Sequence, residues 1–114
     1  MTNEENIMNI IVNGGDARSS SLKAIKLARA GNLIDSEKLM RRANESITKA
    51  HKTQTQLIQD EIRGEKSEIT LLLIHAQDHL MNAITVKEIA IEMIEESKKR
   101  IMLEKKIKEM KEND

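Results

Sequence analysis

The chain has no cysteine, no proline and no Phe, Tyr or Trp, and only four of its 114 residues are glycine. Without thiols there can be no disulfide, no thiolate metal site, no iron–sulfur cluster and no cysteine nucleophile. Without aromatic rings there is no platform on which a base or a sugar ring could stack. Charge of one sign is also missing: Lys+Arg and Asp+Glu each number 19. A neutral chain makes no bulk electrostatic case for nucleic acid or an anionic membrane. Long hydrophobic runs are absent as well. The longest uninterrupted one covers residues 71–74, far below the roughly 20 residues of a membrane span. The opening Met1-Thr2-Asn3-Glu4-Glu5 is polar and acidic, unlike a signal peptide. The expected location is therefore the cytoplasm, with no direct insertion into a membrane.

What remains is a helix-forming composition, with 33% charged residues set among Ile, Leu, Met, Ala, Glu and Lys. The glycines punctuate it. A first helix is expected over about residues 4–30, with Ile7, Ile11, Gly14, Ile25 and Ala28 on one face. Gly14-Gly15 marks either a kink or a close approach by another helix, and Gly31 is placed to stop the helix in a left-handed C-cap. A second helix follows, capped by Asn32 or Asp35. Its Met40, Ala43, Ile47, Ala50, Gln54 and Leu57 recur at alternating spacings of three and four, a one-sided seam, and Gly64 ends it. A third helix is expected after Ser67 as N-cap, running toward Met110. Short connections make neighbours antiparallel, so the expected fold is all-α: a single domain over residues 1–114, an up-down-up three-helix bundle. The first half of the third helix is apolar on more than one stripe. Two partner helices cannot cover all of it, which points to an oligomer packed around this helix. Residues 97–114 are mostly charged and read either as a projecting helical extension or as a frayed tail.

Chemistry concentrates in one place. His75, Asp78 and His79 stand at i, i+3 and i+4, hence on one side of a helix, in the most apolar part of the chain. Four readings fit. The histidines can be hydrogen-bonded and structural. His75 and His79 have the spacing of two zinc ligands, though a hydrolytic zinc site also needs a third ligand and a cleft. Asp78 can lie in a polar layer of a trimeric coil, because Leu71, Ile74, Asp78, Met81 and Thr85 follow coil spacing. Three such carboxylates would repel unless protonated or bound to a cation. Finally, a neutral imidazole can relay a phosphoryl group where water is kept away.

The segment Leu71-Leu72-Leu73-Ile74-His75-Ala76-Gln77-Asp78-His79-Leu80-Met81 closely resembles the signature of the lactose/cellobiose/chitobiose-type IIA proteins of the bacterial sugar phosphotransferase system. Ile10-Ile11-Val12-Asn13-Gly14-Gly15-Asp16-Ala17-Arg18-Ser19 is similar to the family's helix-one motif. Ala50-His51-Lys52-Thr53-Gln54-Thr55-Gln56-Leu57-Ile58 is similar to its helix-two motif. The resemblance implies a homotrimer of nine helices. It implies that His75 takes phosphate from the phosphocarrier HPr and hands it to a cysteine of a IIB component, with no direct sugar binding. It also implies that Asp78, from three subunits, holds a divalent metal, usually magnesium, at the trimer axis. Around these, Gln77 and His79 either support the site by packing behind His75 or contact the phosphate. His51 and Gln54 are open between that and interhelical packing, and Arg18 between a phosphate and an acidic neighbour. Leu72, Leu80 and Met81 belong either to a landing surface or to the core. The chain departs from the family at Asn82, where relatives often carry Thr or Ser, and in the length of its extension past Ser97.

Overall fold

The structure, a computed structural model, describes residues 2–113. Three helices follow one another: α1 (Asn3–Arg29), α2 (Leu33–Ile62) and α3 (Leu71–Glu112).

The ends of these helices follow from local chemistry. Thr2 and Glu5 form a capping box: Thr2 Oγ1 accepts from the Glu5 amide at 3.1 Å, and Glu5 Oε2 accepts from the Thr2 amide at 3.3 Å. The α1 stop matches the expectation, with Gly31 at φ +92. The Gly31 amide donates to Ala28 and the Asn32 amide to the Leu27 carbonyl, so two otherwise orphaned acceptors are satisfied. Gly64, at φ +88, repeats this motif after α2.

Two capping expectations need correction. Asn32 occupies the N-cap position of α2, but its side chain makes no capping bond, and Asp35 lies in the first turn. There, Ser36 Oγ donates to the Ala24 carbonyl at 2.8 Å and ties the start of α2 to α1. The cap of α3 is Thr70, not Ser67: Thr70 Oγ1 accepts from the Leu73 amide at 3.1 Å. The β-branched pair Ile69-Thr70 favours extended backbone, and the helix begins only where the leucines do.

α1 packs heavily on both α2 and α3, whereas α2 and α3 touch each other far less. This explains why one face was too few for α1. Ile7, Gly14, Ile25 and Ala28 are buried as expected and Ile11 is half-buried, but Ile10, Ala17, Ser21 and Ala24 are buried too. The α2 seam holds: Ala43, Ile47, Ala50 and Leu57 are buried, with Met40 and Gln54 half-buried. The interior is built largely from alanine, including Ala17, Ala43 and Ala83 around Ile47. Small side chains let the helix axes come close without aromatic bulk. Gly14-Gly15 does not break α1. A Cβ at Gly14 would meet the His79 carbonyl carbon and oxygen at 3.3 Å, whereas one at Gly15 meets nothing within 4 Å. Gly14 is therefore a point of close approach between α1 and α3.

α3 buries Ala76, Leu80, Ala83, Ala90 and Ile94 and leaves an opposite row outward. Leu71, Ile74, Met81 and Ile89 are exposed on it together with Asp78 and Thr85. The last residues of α3 are helical through Glu112, so the charged segment continues the helix.

Candidate functional site

One turn into α3, the i, i+4 spacing brings His75 and His79 together. Their Nε2 atoms lie 3.0 Å apart, with ring centroids 4.4 Å apart and planes nearly perpendicular at 87°. At that distance one nitrogen donates and the other accepts. His75 is exposed and His79 half-buried. His79 sits where α3 crosses Gly14, so the backbone carrying the second ring is held against α1 while the first ring faces outward.

Asp78 lies on the outward row, and its Oδ2 accepts from Asn82 Nδ2 at 3.3 Å. Asp78, His79, Asn82, Thr85 and Val86 line an open groove of about 420 Å³ with Arg18 of α1 across from them. Among the described residues Arg18 makes no ion pair. Its guanidinium is an uncommitted positive charge beside the His/Asp cluster.

Gln77 points elsewhere: its Oε1 accepts from Gln54 Nε2 across the α2–α3 boundary. This bond accounts for the polar exception in the α2 seam, since it gives the half-buried Gln54 amide a partner on α3. His51 is not drawn into the cluster. It is exposed and lines a separate depression on α2 with Ile47, Thr48, Lys52, Thr55 and Gln56. Leu80 is fully buried, which settles it as core, whereas Leu72 and Met81 are exposed.

Two features escaped the sequence reading. Asn82 partners Asp78, and the i, i+4 spacing alone would have flagged that pair. Asp16 accepts from Arg42 through both carboxylate oxygens, at 2.7 and 3.2 Å, and from Ser46 Oγ at 2.7 Å. These bonds, Arg42 first, hold the Asp16 carboxyl below its ordinary range. They join α1 to α2 across 26 residues of chain, a pairing that no local spacing reveals.

Among the described residues, no group of three His, Cys, Asp or Glu side chains within one chain could hold a metal. The paired histidines therefore lack the third protein ligand of a catalytic zinc site. Asp78 presents a hard oxygen donor suited to a divalent cation such as magnesium, but each chain supplies only one. A site of that kind would need several copies. No helix among the described residues is long and apolar enough to cross a membrane.

Comparison with known proteins agrees with this geometry. The family model for the PTS system lactose/cellobiose-specific IIA subunit matches residues 5–98. A lichenan-specific phosphotransferase enzyme IIA component of Bacillus subtilis is 52% identical over 92 residues, 81% of this chain and 84% of that protein. The crystal structure of a cellobiose-specific enzyme IIA from Bacillus anthracis superposes with a TM-score of 0.85 at 50% identity, over 90% of this chain and 94% of that one. The IIA(chitobiose)–HPr complex of the Escherichia coli phosphotransferase system, solved in solution, gives 0.75 at 34% identity over 87% and 96%. The chain belongs to the lactose/cellobiose-specific IIA subunit family of the phosphotransferase system.

Proposed function

We propose that this IIA component accepts a phosphoryl group from phospho-HPr on His75 and passes it to a cysteine of its cognate IIB component. The sugar, a disaccharide such as cellobiose, chitobiose or lactose, would be phosphorylated elsewhere and never touch this chain. The carrying observation is that His75 combines exposure to a visiting protein with an Nε2 contact to His79. Family membership and a relative solved with HPr support the same reading.

In the first transfer the phosphorus–nitrogen bond on HPr breaks as a new one forms to a His75 ring nitrogen, in line and through a loose transition state. In the second, that bond breaks as phosphorus joins the IIB sulfur. His79 sets which His75 nitrogen carries the proton. Arg18 shares an open groove with His79 and would offset phosphate charge on that side, and exposed Leu72 offers apolar surface that excludes water beneath a docked partner.

The apolar outward row of α3 supports a homotrimer around this helix, a nine-helix assembly in the cytoplasm. Three Asp78 carboxylates would meet there. A divalent cation, magnesium by ligand hardness, would neutralise their mutual repulsion.

Incubation with phosphoenolpyruvate, enzyme I and HPr tests the relay. Wild type should take up one acid-labile phosphate per chain, and His75→Ala none. Uptake by His75→Ala at the wild-type rate would remove His75 from the reaction.

A further inference from the structure

The family match stops at residue 98, yet α3 continues to Glu112 without a break. The last hydrogen bond from α3 to another described helix runs from Arg100 Nη2 to the Arg29 carbonyl, at 2.8 Å. Beyond it Ile101 is half-buried, and every residue over 102–113 is exposed. A lone helical segment of about a dozen residues is marginal in water, and this one carries Leu103, Ile107 and Met110 unburied.

Their placement is regular. The outward row that holds Asp78 reaches Ile89 and then continues as Met93, Glu96, Arg100, Leu103, Ile107 and Met110, at alternating spacings of three and four. That is a heptad seam. An open depression lined by Met93, Glu96 and Arg100 with Arg29 of α1 borders this row.

We propose that residues 93–112 of three copies wind into a parallel coiled-coil stem, continuing the α3 seam past the family-matched body. This rests on the homotrimer proposed above. Charge complementarity selects copies of this chain as the occupant. In parallel register Lys99 of one copy faces Glu104 of the next, and the Glu96 layer abuts the Arg100 layer one turn on, a polar step that fixes alignment. Lys106 against Lys111 is the like-sign exception, and residues 93–112 as a whole hold seven basic and five acidic side chains. It stands at the C-terminal end of α3, remote from His75 near the other end, so it joins subunits without covering the relay site.

The absence of cysteine provides the test. Ile107→Cys and, as the outward-facing control, Lys108→Cys are oxidised with copper–phenanthroline in the full chain, beside sedimentation of each. At a threefold axis only two of three thiols can pair, so the covalent dimer of Ile107→Cys should approach about two-thirds of the chain. Lys108→Cys should stay largely monomeric. Ile107→Asp should raise the concentration needed for trimer roughly tenfold, with phosphate uptake on His75 unchanged. A wild-type trimer whose Ile107→Cys form does not cross-link overturns the stem and leaves the trimer standing. A wild-type monomer overturns both. Loss of Ile107→Asp binding to phosphatidylglycerol vesicles, with the trimer unaltered, overturns the stem in favour of an anionic surface. Failure of His75 labelling would speak against the relay alone.

Discussion

Asp16 shows what a single side chain contributes where α1 crosses α2. Its carboxylate is gripped by the Arg42 guanidinium and the Ser46 hydroxyl, and the pair is partly open to water, with Arg42 64% and Asp16 28% exposed. Solvent screening keeps such a contact modest. Because the folded-state proton affinity of Asp16 is lowered, its contribution is fully present above the unfolded carboxylate value, near 3.8. It fades as pH falls through the lower folded value. At fixed protein concentration and low salt, Asp16→Asn should lower Tm by about 2–4 °C at pH 7. The gap between variant and wild type should close as pH drops below 4, and should also shrink in high salt. A gap that stays constant from pH 7 to pH 3 would show that shape, not charge, is what Asp16 supplies.

At the scale of the helix, two adjacent glycines have opposite meanings. Alanine at Gly15 meets nothing within 4 Å, so Gly15→Ala should stabilise by up to about 1 kcal/mol through helix propensity alone. Alanine at Gly14 would press on the backbone of α3 at His79, 3.3 Å away. Backbone cannot swing aside as a side-chain tip can, so Gly14→Ala should forfeit that gain, lower Tm and slow phosphate uptake by moving His79. Thermal unfolding of the two variants side by side decides this, and equal stabilisation by both would remove the close approach from the account. Sequence alone posed this choice without resolving it, and the reason is general. Spacings of three and four reveal what lies on one helix: the seam of α2, the His75–Asp78–His79 cluster, and the left-handed glycines that end α1 and α2. They are silent on contacts between helices. The two-sided burial of α1, the Asp16–Arg42 pair and the Gln54–Gln77 pair all depend on which helix lies centrally. Hydroxyl caps have the same ambiguity at short range: Ser67 and Thr70 are equally good acceptors, and the extended backbone at Thr70 decided between them.

For the whole molecule the deciding surface is the outward row of α3. Exposed Leu71, Ile74, Met81 and Ile89 need cover, while Asp78 in their midst resists burial. Where three copies meet, carboxylates about 4 Å apart would repel by about 4 kcal/mol per pair at an effective dielectric near 20. This repulsion opposes the apolar gain, so assembly should depend on what neutralises the ring. Chelation of divalent cations should lower the Tm of the wild-type protein and shift sedimentation toward monomer. Magnesium should reverse both in proportion to its concentration, as expected when only the assembled state binds it. Asp78→Leu replaces the charged layer with an apolar one that continues the row, so the variant should be trimeric, melt higher and ignore chelator. It should still take phosphate on His75, because the ring contact with His79 does not involve Asp78. A wild-type trimer indifferent to chelator, or an Asp78→Leu protein that falls apart, would show that the carboxylates of different copies never come together.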